Sequence, residues 1–195
     1  MCRGKVSARV VQIQIVLATF YFLLTNSHIS LIFGRNFAEV NLMTCPCGLR
    51  DDYSECCGRY IDGPESAPEP ESLMRSRYTA FAMQKIDYLK ETWHPETCPD
   101  NLDESEPSCW VGLEIVSAAM DEEEVEGEVE FIAKLIYDNK LEVLHEISQF
   151  DKIDNKWLYH SGEFKNPDQK ASKIPKSEPC PCSSGKSFKN CHYQA

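Results

Sequence analysis

The sequence lacks an excess of basic side chains, the usual mark of a protein that binds nucleic acid. It carries 20 basic and 31 acidic residues in 195, and its formal net charge is −11. Residues 51–160 hold 27 acidic against 9 basic side chains, a balance of −18 that repels phosphate backbones. From residue 163 onward six lysines face three acids. Charge therefore argues against a nucleic-acid partner, except for weak contact through this basic tail.

An apolar run long enough to cross a membrane is also missing. Residues 10–24 are mostly apolar and follow a basic start, a layout typical of signal peptides. Their longest clean part, residues 15–24, falls well short of the roughly 20 residues that a transmembrane helix needs, and no small-x-small cleavage site follows. We favour Met43 as the natural start, with a signal or anchor and a folded extension of the domain as alternatives. We expect a cytoplasmic protein, with membrane contact only if residues 10–33 are retained.

Cysteine, in contrast, is abundant: seven of ten cysteines fall in two tight clusters. Both clusters read C-P-C-x8-C-[CH], first at 45–57 and again at 180–192. Tyr53 and Phe188 both lie three residues before the third ligand, and Gly48 and Gly185 supply flexible backbone between the ligand pairs. The eight predicted metal ligands are Cys45, Cys47, Cys56, Cys57, Cys180, Cys182, Cys191 and His192.

Two close pairs of soft donors joined by a short loop predict tetrahedral zinc, with one ion in each cluster. Because protein fills all four positions, the sites are expected to be structural rather than catalytic. We expect Arg59, Lys186 and Lys189 to offset the negative charge of the thiolates. Disulfides within a pair would close strained rings. Crossed disulfides between the pairs and iron–sulfur ligation remain open as alternatives.

Residues 180–192, C-P-C-S-S-G-K-S-F-K-N-C-H, resemble the SEC-C motif, the zinc tail of the preprotein-translocase ATPase. That family pattern is C-P-C-G-S-G-K-K-[FY]-K-x-C-[CH]. The chain departs from it at Ser183, where glycine is usual, and we expect the change only to stiffen the turn. The first copy departs more, since Leu49, Arg50 and Asp51 replace the Ser-Gly-Lys stretch, but it keeps all four ligands.

Between the clusters, helices are followed by a meander of strands. A first helix has the apolar residues Leu73, Met74, Tyr78, Phe81 and Ala82 on one face. Its opposite, polar face comprises Arg75, Ser76 and Gln84. A second helix is predicted over 87–93, and strands over 110–118, 125–137, 141–150 and 156–161. Residues 125–137 alternate with period two, from Val125 to Tyr137 on the apolar face. The prediction is an α+β fold: a cone-shaped roll of helices packed on a curved antiparallel sheet, flanked by two small zinc knuckles.

Five motifs in this region resemble the YchJ family: LMRSRYTAF at 73–81, TWHP at 92–95, GLEI at 112–115, HEISQF at 145–150 and KWLY at 156–159. The resemblance runs from about Cys45 to His192. It implies a nuclear-transport-factor-like cone with a SEC-C motif at each end, and it supports Met43 as the start. We expect an N-terminal extension over 1–42, a knuckle over 43–62, the roll over 63–165 and a second knuckle over 166–195. The family's biochemical role is not established, so the resemblance implies architecture rather than activity.

Titratable side chains near the expected strand ends or cone rim are His94, His145, Glu146, Tyr159 and His160. His145 and Glu146 are adjacent in a strand and therefore point to opposite faces. We interpret Glu146 as a carboxylate paired with Arg75 or Arg77 rather than as a catalytic base, and assign no catalytic residue.

The leading hypothesis is a non-enzymatic zinc-binding protein whose SEC-C knuckles contact protein partners. The alternative is a small-molecule enzyme or binder that uses a pocket in the cone. A cone filled by Phe131, Leu135 and Tyr137 would favour the first, and polar groups around a cavity would favour the second.

Overall fold

The computed structural model describes residues 44–50, 52–100, 102 and 109–194. The apolar segment 10–33 and the predicted start at Met43 lie outside the described residues. Among the helices of the described part, none is both long and apolar enough to cross a membrane.

Within the described residues, three α-helices precede the sheet: α1, Gly58–Ile61; α2, Pro70–Met83; and α3, Ile86–Glu91. α2 begins at Pro70, whose fixed φ and missing N–H suit a first helical turn. It ends at Gln84, which adopts a left-handed conformation with φ 58°. α2 is the longest of the three, and it lies against the sheet.

The predicted division of α2 into an apolar and a polar face is wrong at Ser76, which is fully buried. Its hydroxyl donates to the carbonyl of Leu73 at 2.9 Å and lies 2.7 Å from the Tyr88 hydroxyl. Because α3 packs on this side, α2 is covered on both sides. The serine is tolerated there since both of its hydrogen-bonding capacities are used.

Four long strands form an antiparallel sheet in the order β1–β2–β3–β4. The strands are β1, Cys109–Met120; β2, Glu126–Tyr137; β3, Lys140–Ile153; and β4, Lys156–Phe164. A short strand β5, Ser172–Lys173, pairs with the start of β3. At the two tight turns, 138–139 and 154–155, both residues have positive φ, between 48° and 63°. Type I′ hairpin turns require this conformation, and Asn and Asp tolerate it. The predicted meander is confirmed.

The period-two pattern of β2 is confirmed from Gly127 to Leu135, whose odd-numbered residues are buried. It fails at the end of the strand, where Tyr137 is 50% exposed and Ile136 is 7% exposed. Ile136 packs in a separate apolar cluster with the C-terminal cysteine segment. The buried face of β2 therefore changes near the end of the strand. Odd-numbered residues are buried up to Leu135, and after it Ile136 is buried by the C-terminal cysteine segment.

The inner face of the sheet is covered by α2 at contact distance. A methyl group on Gly127 would collide with the ring of Pro70, so the helix can approach this closely only over glycine. Val129, Phe131 and Phe150 fill the space between helix and sheet. The result is the predicted α+β roll with a curved antiparallel sheet.

The segment that follows α3 extends the sheet beyond β4. Trp93 forms a parallel bridge with Tyr159. The amide of His94 donates to the carbonyl of Tyr159 at 2.8 Å, and the Tyr159 amide donates to the carbonyl of Thr92 at 2.9 Å. These bonds explain why α3 ends at Glu91 rather than at the predicted residue 93.

Candidate metal centres

Both cysteine clusters fold in the same way around a buried aromatic residue. The carbonyl of Tyr53 accepts hydrogen bonds from the amides three and five residues later, at 3.1 and 2.8 Å. The carbonyl of Phe188 accepts bonds from the same two offsets, at 3.1 and 3.1 Å. Tyr53 is 8% exposed and Phe188 is fully buried. The repeat in the sequence is therefore a repeat of backbone conformation.

In the first centre four sulfur atoms face one another. Cys47 Sγ lies 3.5 Å from the Sγ atoms of Cys45 and Cys56, and Cys56 Sγ lies 4.0 Å from that of Cys57. All four cysteines are buried, with exposed fractions of 2% to 6%. The hydroxyl of Thr79, on α2, lies 3.8 Å from Cys45 Sγ. The first centre is thus built directly against the long helix.

The second centre has three sulfur atoms and one ring nitrogen. Cys182 Sγ lies 3.4 Å from Cys180 Sγ and 3.5 Å from Cys191 Sγ. Nδ1 of His192 lies 3.1 Å from Cys180 Sγ and 3.2 Å from Cys191 Sγ. Burial lowers the pKa of His192 and so favours the neutral ring, the form that binds metals.

The sulfur–sulfur distances are close to the edges of a tetrahedron around one ion, and the two sulfur–nitrogen distances are somewhat shorter than such edges. With metal–sulfur bonds of about 2.3 Å, sulfur atoms stand about 3.8 Å apart, and a sulfur–nitrogen edge is about 3.6 Å. A disulfide would instead bring two sulfur atoms to about 2.05 Å. None of the nine cysteines within the described ranges forms a disulfide, and the donor geometry favours a metal ion over crossed disulfides. Each donor set can hold a metal ion.

The first centre needs a cation for its thiols to ionise together. Hydrogen bonding with Cys45 raises the pKa of Cys47 to about 12, and it also raises the pKa of Cys57. Hydrogen bonding with Cys47 lowers the pKa of Cys45. Without a metal, one thiolate therefore forms at the expense of its neighbours. A divalent cation removes this obstacle because it stabilises all four thiolates.

The two centres differ in what surrounds them. The four cysteines of the first centre belong to the main apolar cluster, together with Leu73, Tyr78, Phe131 and Trp157. Cys180 of the second centre belongs to a smaller cluster with Cys109, Ile136, Ile174 and Phe188. Its other ligands are half-buried. The first centre is part of the core of the roll, and the second lies at its periphery.

The second centre is held at the tip of the β2–β3 hairpin. The side-chain amide of Asn139 donates to the carbonyl of Gln194 at 2.9 Å, and its carbonyl oxygen accepts from the Gln194 amide at 2.9 Å. The amide of Ile174 donates to the carbonyl of Asn139 at 3.3 Å. One turn residue thus fixes the chain both before and after the cysteine segment.

Of the three cations expected to offset the thiolate charge, Arg59 contacts other side chains, whereas the two lysines belong to the second knuckle. The guanidinium of Arg59 lies 4.6 Å from the centre of the Tyr60 ring and 3.8 Å from Glu65, so it is engaged there rather than with a cysteine. Lys186 and Lys189 are exposed on the second centre. The second centre therefore carries a positively charged surface.

Ser183 does more than stiffen its turn. It occupies the position of Gly48 in the first copy, and each residue donates its amide to the carbonyl of the first cysteine at 3.1 Å. Gly48 has φ 74° and Ser183 has φ 59°. A side chain in this left-handed region costs about 1–2 kcal/mol. The second knuckle therefore folds against a local strain that the first does not carry.

The predicted pairing of Glu146 with Arg75 or Arg77 is wrong. Arg75 pairs with Glu71 at 2.7 Å. Arg77 donates to the carbonyl of Leu89 at 2.9 Å and to the Thr92 hydroxyl at 2.8 Å. It lies between the rings of Trp93 and Tyr159, 4.7 Å from each centre. The arginine is stabilised by α3 and by aromatic faces because the end of α3 supplies carbonyl oxygens at short range.

Glu146 takes its hydrogen bonds from hydroxyl groups instead. The Ser148 hydroxyl donates to Glu146 Oε1 at 2.6 Å, and the Tyr159 hydroxyl donates at 3.3 Å. Burial raises the pKa of Tyr159 above its usual range, which keeps this hydroxyl protonated. His145 lies on the other face and contacts Glu130 at 2.7 Å, as the strand geometry predicts.

A third group of metal-binding side chains lies beside β4. One ring nitrogen of His94, one of His160 and a carboxylate oxygen of Glu96 lie within 4.8 Å of one another. Asp151 Oδ2 lies 3.9 Å from His94 Nε2 and 3.7 Å from His160 Nδ1. We call these four residues the edge cluster. The sequence indicated the two histidines separately but gave no sign of Glu96, Asp151 or their convergence.

Comparisons with known proteins agree with this architecture. Residues 69–162 match the family model described as YchJ, middle NTF2-like domain, and residues 177–194 match the SEC-C motif. A UPF0225 protein of Serratia proteamaculans is 37% identical over 154 residues, covering 75% of this chain and 96% of that protein. A UPF0225 protein of Bordetella pertussis is 41% identical over 124 residues, covering 62% and 92%.

Two solved structures are similar to this protein. The solution structure of a SEC-C motif containing protein from Rhodopseudomonas palustris is 34% identical, with a TM-score of 0.53, and the match covers 62% of this chain and 98% of that one. A crystal structure of a SEC-C motif containing protein from Psychrobacter arcticus is 28% identical, with a TM-score of 0.55, covering 77% and 96%. The chain therefore belongs to the UPF0225 (YchJ) family, and it joins that family's middle NTF2-like domain to a C-terminal SEC-C motif.

Proposed function

We propose that this protein binds two structural zinc ions and uses its C-terminal knuckle to dock a protein partner. The observation that carries the proposal is the contrast between two centres of the same local structure. One centre is enclosed in the main core, and the other is presented at the periphery with exposed lysines. The second centre thus combines a closed donor set with exposed charged side chains that a partner could contact.

The donor sets support zinc over an iron–sulfur cluster. Sulfur atoms 3.4–4.0 Å apart enclose a single ion, whereas a cluster of several iron and sulfide ions needs its cysteines farther apart. The second set also contains the Nδ1 atom of His192, a ligand that zinc accepts readily. With four protein ligands each site is closed, so the ions stabilise structure rather than activate water.

The charge of the second knuckle supports an acidic protein segment as the partner. The segment from residue 163 onward carries six lysines and three acids, while the rest of the described chain is strongly acidic. The exposed side chains of Lys186 and Lys189 lie between the ligand pairs, the first in a turn and the second in the short 3-10 helix Phe188–Asn190. Carboxylates of a partner would be attracted to this surface and repelled by the roll.

The interior of the roll supports a binding protein rather than an enzyme of the cone. Phe131 and Leu135, at 5% and 6% exposed, fill the inner face together with Phe150 and Trp157. A pocket of about 180 Å³ is lined by Tyr60, Thr92 and Trp157 among others, so Trp157 borders both the core and this pocket. Tyr137 does not contribute to this filling, because it is exposed.

Elemental analysis of the full chain, purified without chelators, tests the metal part. We expect two zinc ions per chain and no iron. Cys191→Ser should reduce the count to about one, because it removes a ligand of the exposed centre. Cys98→Ser is the matched control, since this half-buried thiol belongs to neither centre. Less than one zinc per chain, or iron in its place, would contradict the proposal.

Titration of the zinc-loaded chain with a fluorescent poly-glutamate peptide tests the partner part by anisotropy. We expect binding that weakens with salt and falls several-fold in a Lys186→Glu/Lys189→Glu variant, since exposed ion pairs contribute about 1 kcal/mol or less each. A Lys134→Glu/Lys156→Glu variant changes the net charge equally on the roll and should bind as the parent does. Equal loss in both variants, or tighter binding of an RNA oligonucleotide, would overturn the acidic-partner proposal.

A further inference from the structure

The edge cluster combines side chains from three separate segments of the chain. His94 and Glu96 come from the segment after α3, His160 from β4 and Asp151 from β3. The pairing of β3 with β4 shifts between Gln149 and Phe150, so that Gln149 faces Ser161 and Phe150 faces Tyr159. His160 is thus the extra residue of a β-bulge, a feature that redirects a side chain.

Backbone hydrogen bonds fix both histidines. The His94 amide is held by the carbonyl of Tyr159 at 2.8 Å, and the carbonyl of His94 accepts from the Cys98 amide at 3.0 Å. The Thr97 hydroxyl donates to the carbonyl of His160 at 2.5 Å. The rings of His94 and His160 meet edge to face with centres 4.8 Å apart. The backbone positions of both histidines are therefore fixed, and their rings are in contact.

Two imidazoles and the Glu96 carboxylate converge, and the Asp151 carboxylate lies beside both rings, so the donor types suit a divalent ion. The carboxylates balance the ion's charge, and mixed nitrogen and oxygen donors favour first-row transition metals over magnesium or calcium. For bonds of about 2.1 Å, tetrahedral donors stand about 3.4 Å apart. The Asp151 oxygen, 3.9 and 3.7 Å from the two ring nitrogens, is close to that spacing.

We propose that the edge cluster is a third metal site, which takes a divalent first-row transition ion such as Zn²⁺ or Ni²⁺. It differs from both cysteine centres in having no sulfur ligand and in being partly open, since the His94 and His160 side chains are 12% and 37% exposed. An ion bound there is more accessible to solvent than one in the first cysteine centre, whose four ligands are 2% to 6% exposed.

Metal binding at Nε2 of His94 requires a change of tautomer. The Glu96 amide lies 3.2 Å from Nδ1 of His94, so in the neutral ring the proton sits on Nε2 and faces Asp151. When a metal takes Nε2, the proton moves through solvent to Nδ1 and this long, exposed hydrogen bond is given up. NMR of the ring nitrogens can detect this change of tautomer, independently of how much metal the sample contains.

The test uses the full chain with its cysteine centres loaded, dialysed against micromolar free Zn²⁺. We expect a third zinc equivalent in the parent chain and its loss in His94→Asn and in His160→Asn. His145→Asn is the matched control, because His145 also faces a carboxylate, that of Glu130, but belongs to no group of three metal-binding side chains within the described residues. This variant should keep the third equivalent.

Nitrogen NMR of the imidazoles provides a second readout that does not depend on the metal count. Added Zn²⁺ should move the proton of His94 from Nε2 to Nδ1 and leave the ring signals of His145 unchanged. His160→Asn decides the matter if His94→Asn fails to fold, because His160 is the more exposed of the pair. No third equivalent in the parent, retention of it in the His160 variant, or an equal loss in the His145 variant would each overturn the third site.

Discussion

Removing one ligand from each cysteine centre should have very different effects on the roll. Cys57 is 2% exposed and lies in the same apolar cluster as Tyr78, Phe131 and Trp157. Cys191 is half-buried at the periphery. We expect Cys57→Ser to destabilise the whole roll and Cys191→Ser to release only the C-terminal knuckle.

The magnitude follows from the metal's share of the folding free energy. A structural zinc ion contributes roughly 10 kcal/mol or more to the unit that binds it. The free energy of unfolding of a whole domain is only about 5–15 kcal/mol. Losing even half of the metal's contribution from inside the core would therefore leave the roll marginally stable or unfolded. At the second centre the same loss falls on the smaller cluster around Phe188, and the inner face of the sheet keeps its contacts.

Guanidinium unfolding followed by tryptophan fluorescence measures the difference, because Trp110 and Trp157 both contact the main cluster. Cys57→Ser should lose most of the unfolding transition, and Cys191→Ser should keep its midpoint close to that of the parent. Cys98→Ser controls for the loss of a thiol as such. Equal midpoints for Cys57→Ser and the parent, or equal losses for Cys57→Ser and Cys191→Ser, would refute the assignment of the first centre to the core.

Further predictions concern single positions. Ser183→Gly should relieve the left-handed strain, although the greater flexibility of glycine in the unfolded chain offsets about 0.5–1 kcal/mol of that gain. In a chelator competition assay, the second knuckle of this variant should therefore retain its metal roughly twofold more strongly. Ser183→Ala should give no gain in the same assay. Gly127→Ala should lower the free energy of unfolding by about 1–3 kcal/mol, because its methyl group meets the ring of Pro70, while Gly112→Ala, with only ordinary contacts to Lys134, should be neutral or stabilising in the same melt. Asn139→Gly keeps the turn but removes both side-chain bonds to the C-terminal backbone, so amide exchange in residues 174–194 should speed up by a factor that corresponds to about 1 kcal/mol. Zinc affinity of the first centre should rise with pH, since hydrogen bonding raises the pKa of Cys47 to about 12 and a metal must displace its proton; a pH-independent affinity from competition titrations would contradict this.

Features set by neighbours along the chain could be predicted from the sequence. The eight ligands, the tight turns with their Asp and Asn residues, and the period-two strand depend on spacings of at most a dozen residues. Turn chemistry and strand pleating act at that same range. This is why the α+β meander and the two cysteine centres could be predicted without any knowledge of how the elements pack.

Features set by contacts between distant elements could not be predicted in the same way. The polar face assigned to α2 failed at Ser76 because α3 covers it, and the outer pattern of β2 changed at Ile136 because the C-terminal knuckle packs there. The predicted pairing of Arg77 with Glu146 was wrong because a backbone carbonyl and aromatic rings, rather than that carboxylate, contact the guanidinium group.

The sequence by itself determined which atoms can bind metal and in what local geometry, because a C-P-C turn and its following aromatic residue fix a knuckle within thirteen residues. Only the tertiary structure decided how deeply each knuckle is buried, because burial depends on where the segment packs and not on its own residues. It set one knuckle in the core and the other at the tip of the β2–β3 hairpin. It also brought residues 94, 96 and 160 together beside Asp151, across a β-bulge, a convergence that no spacing along the chain encodes.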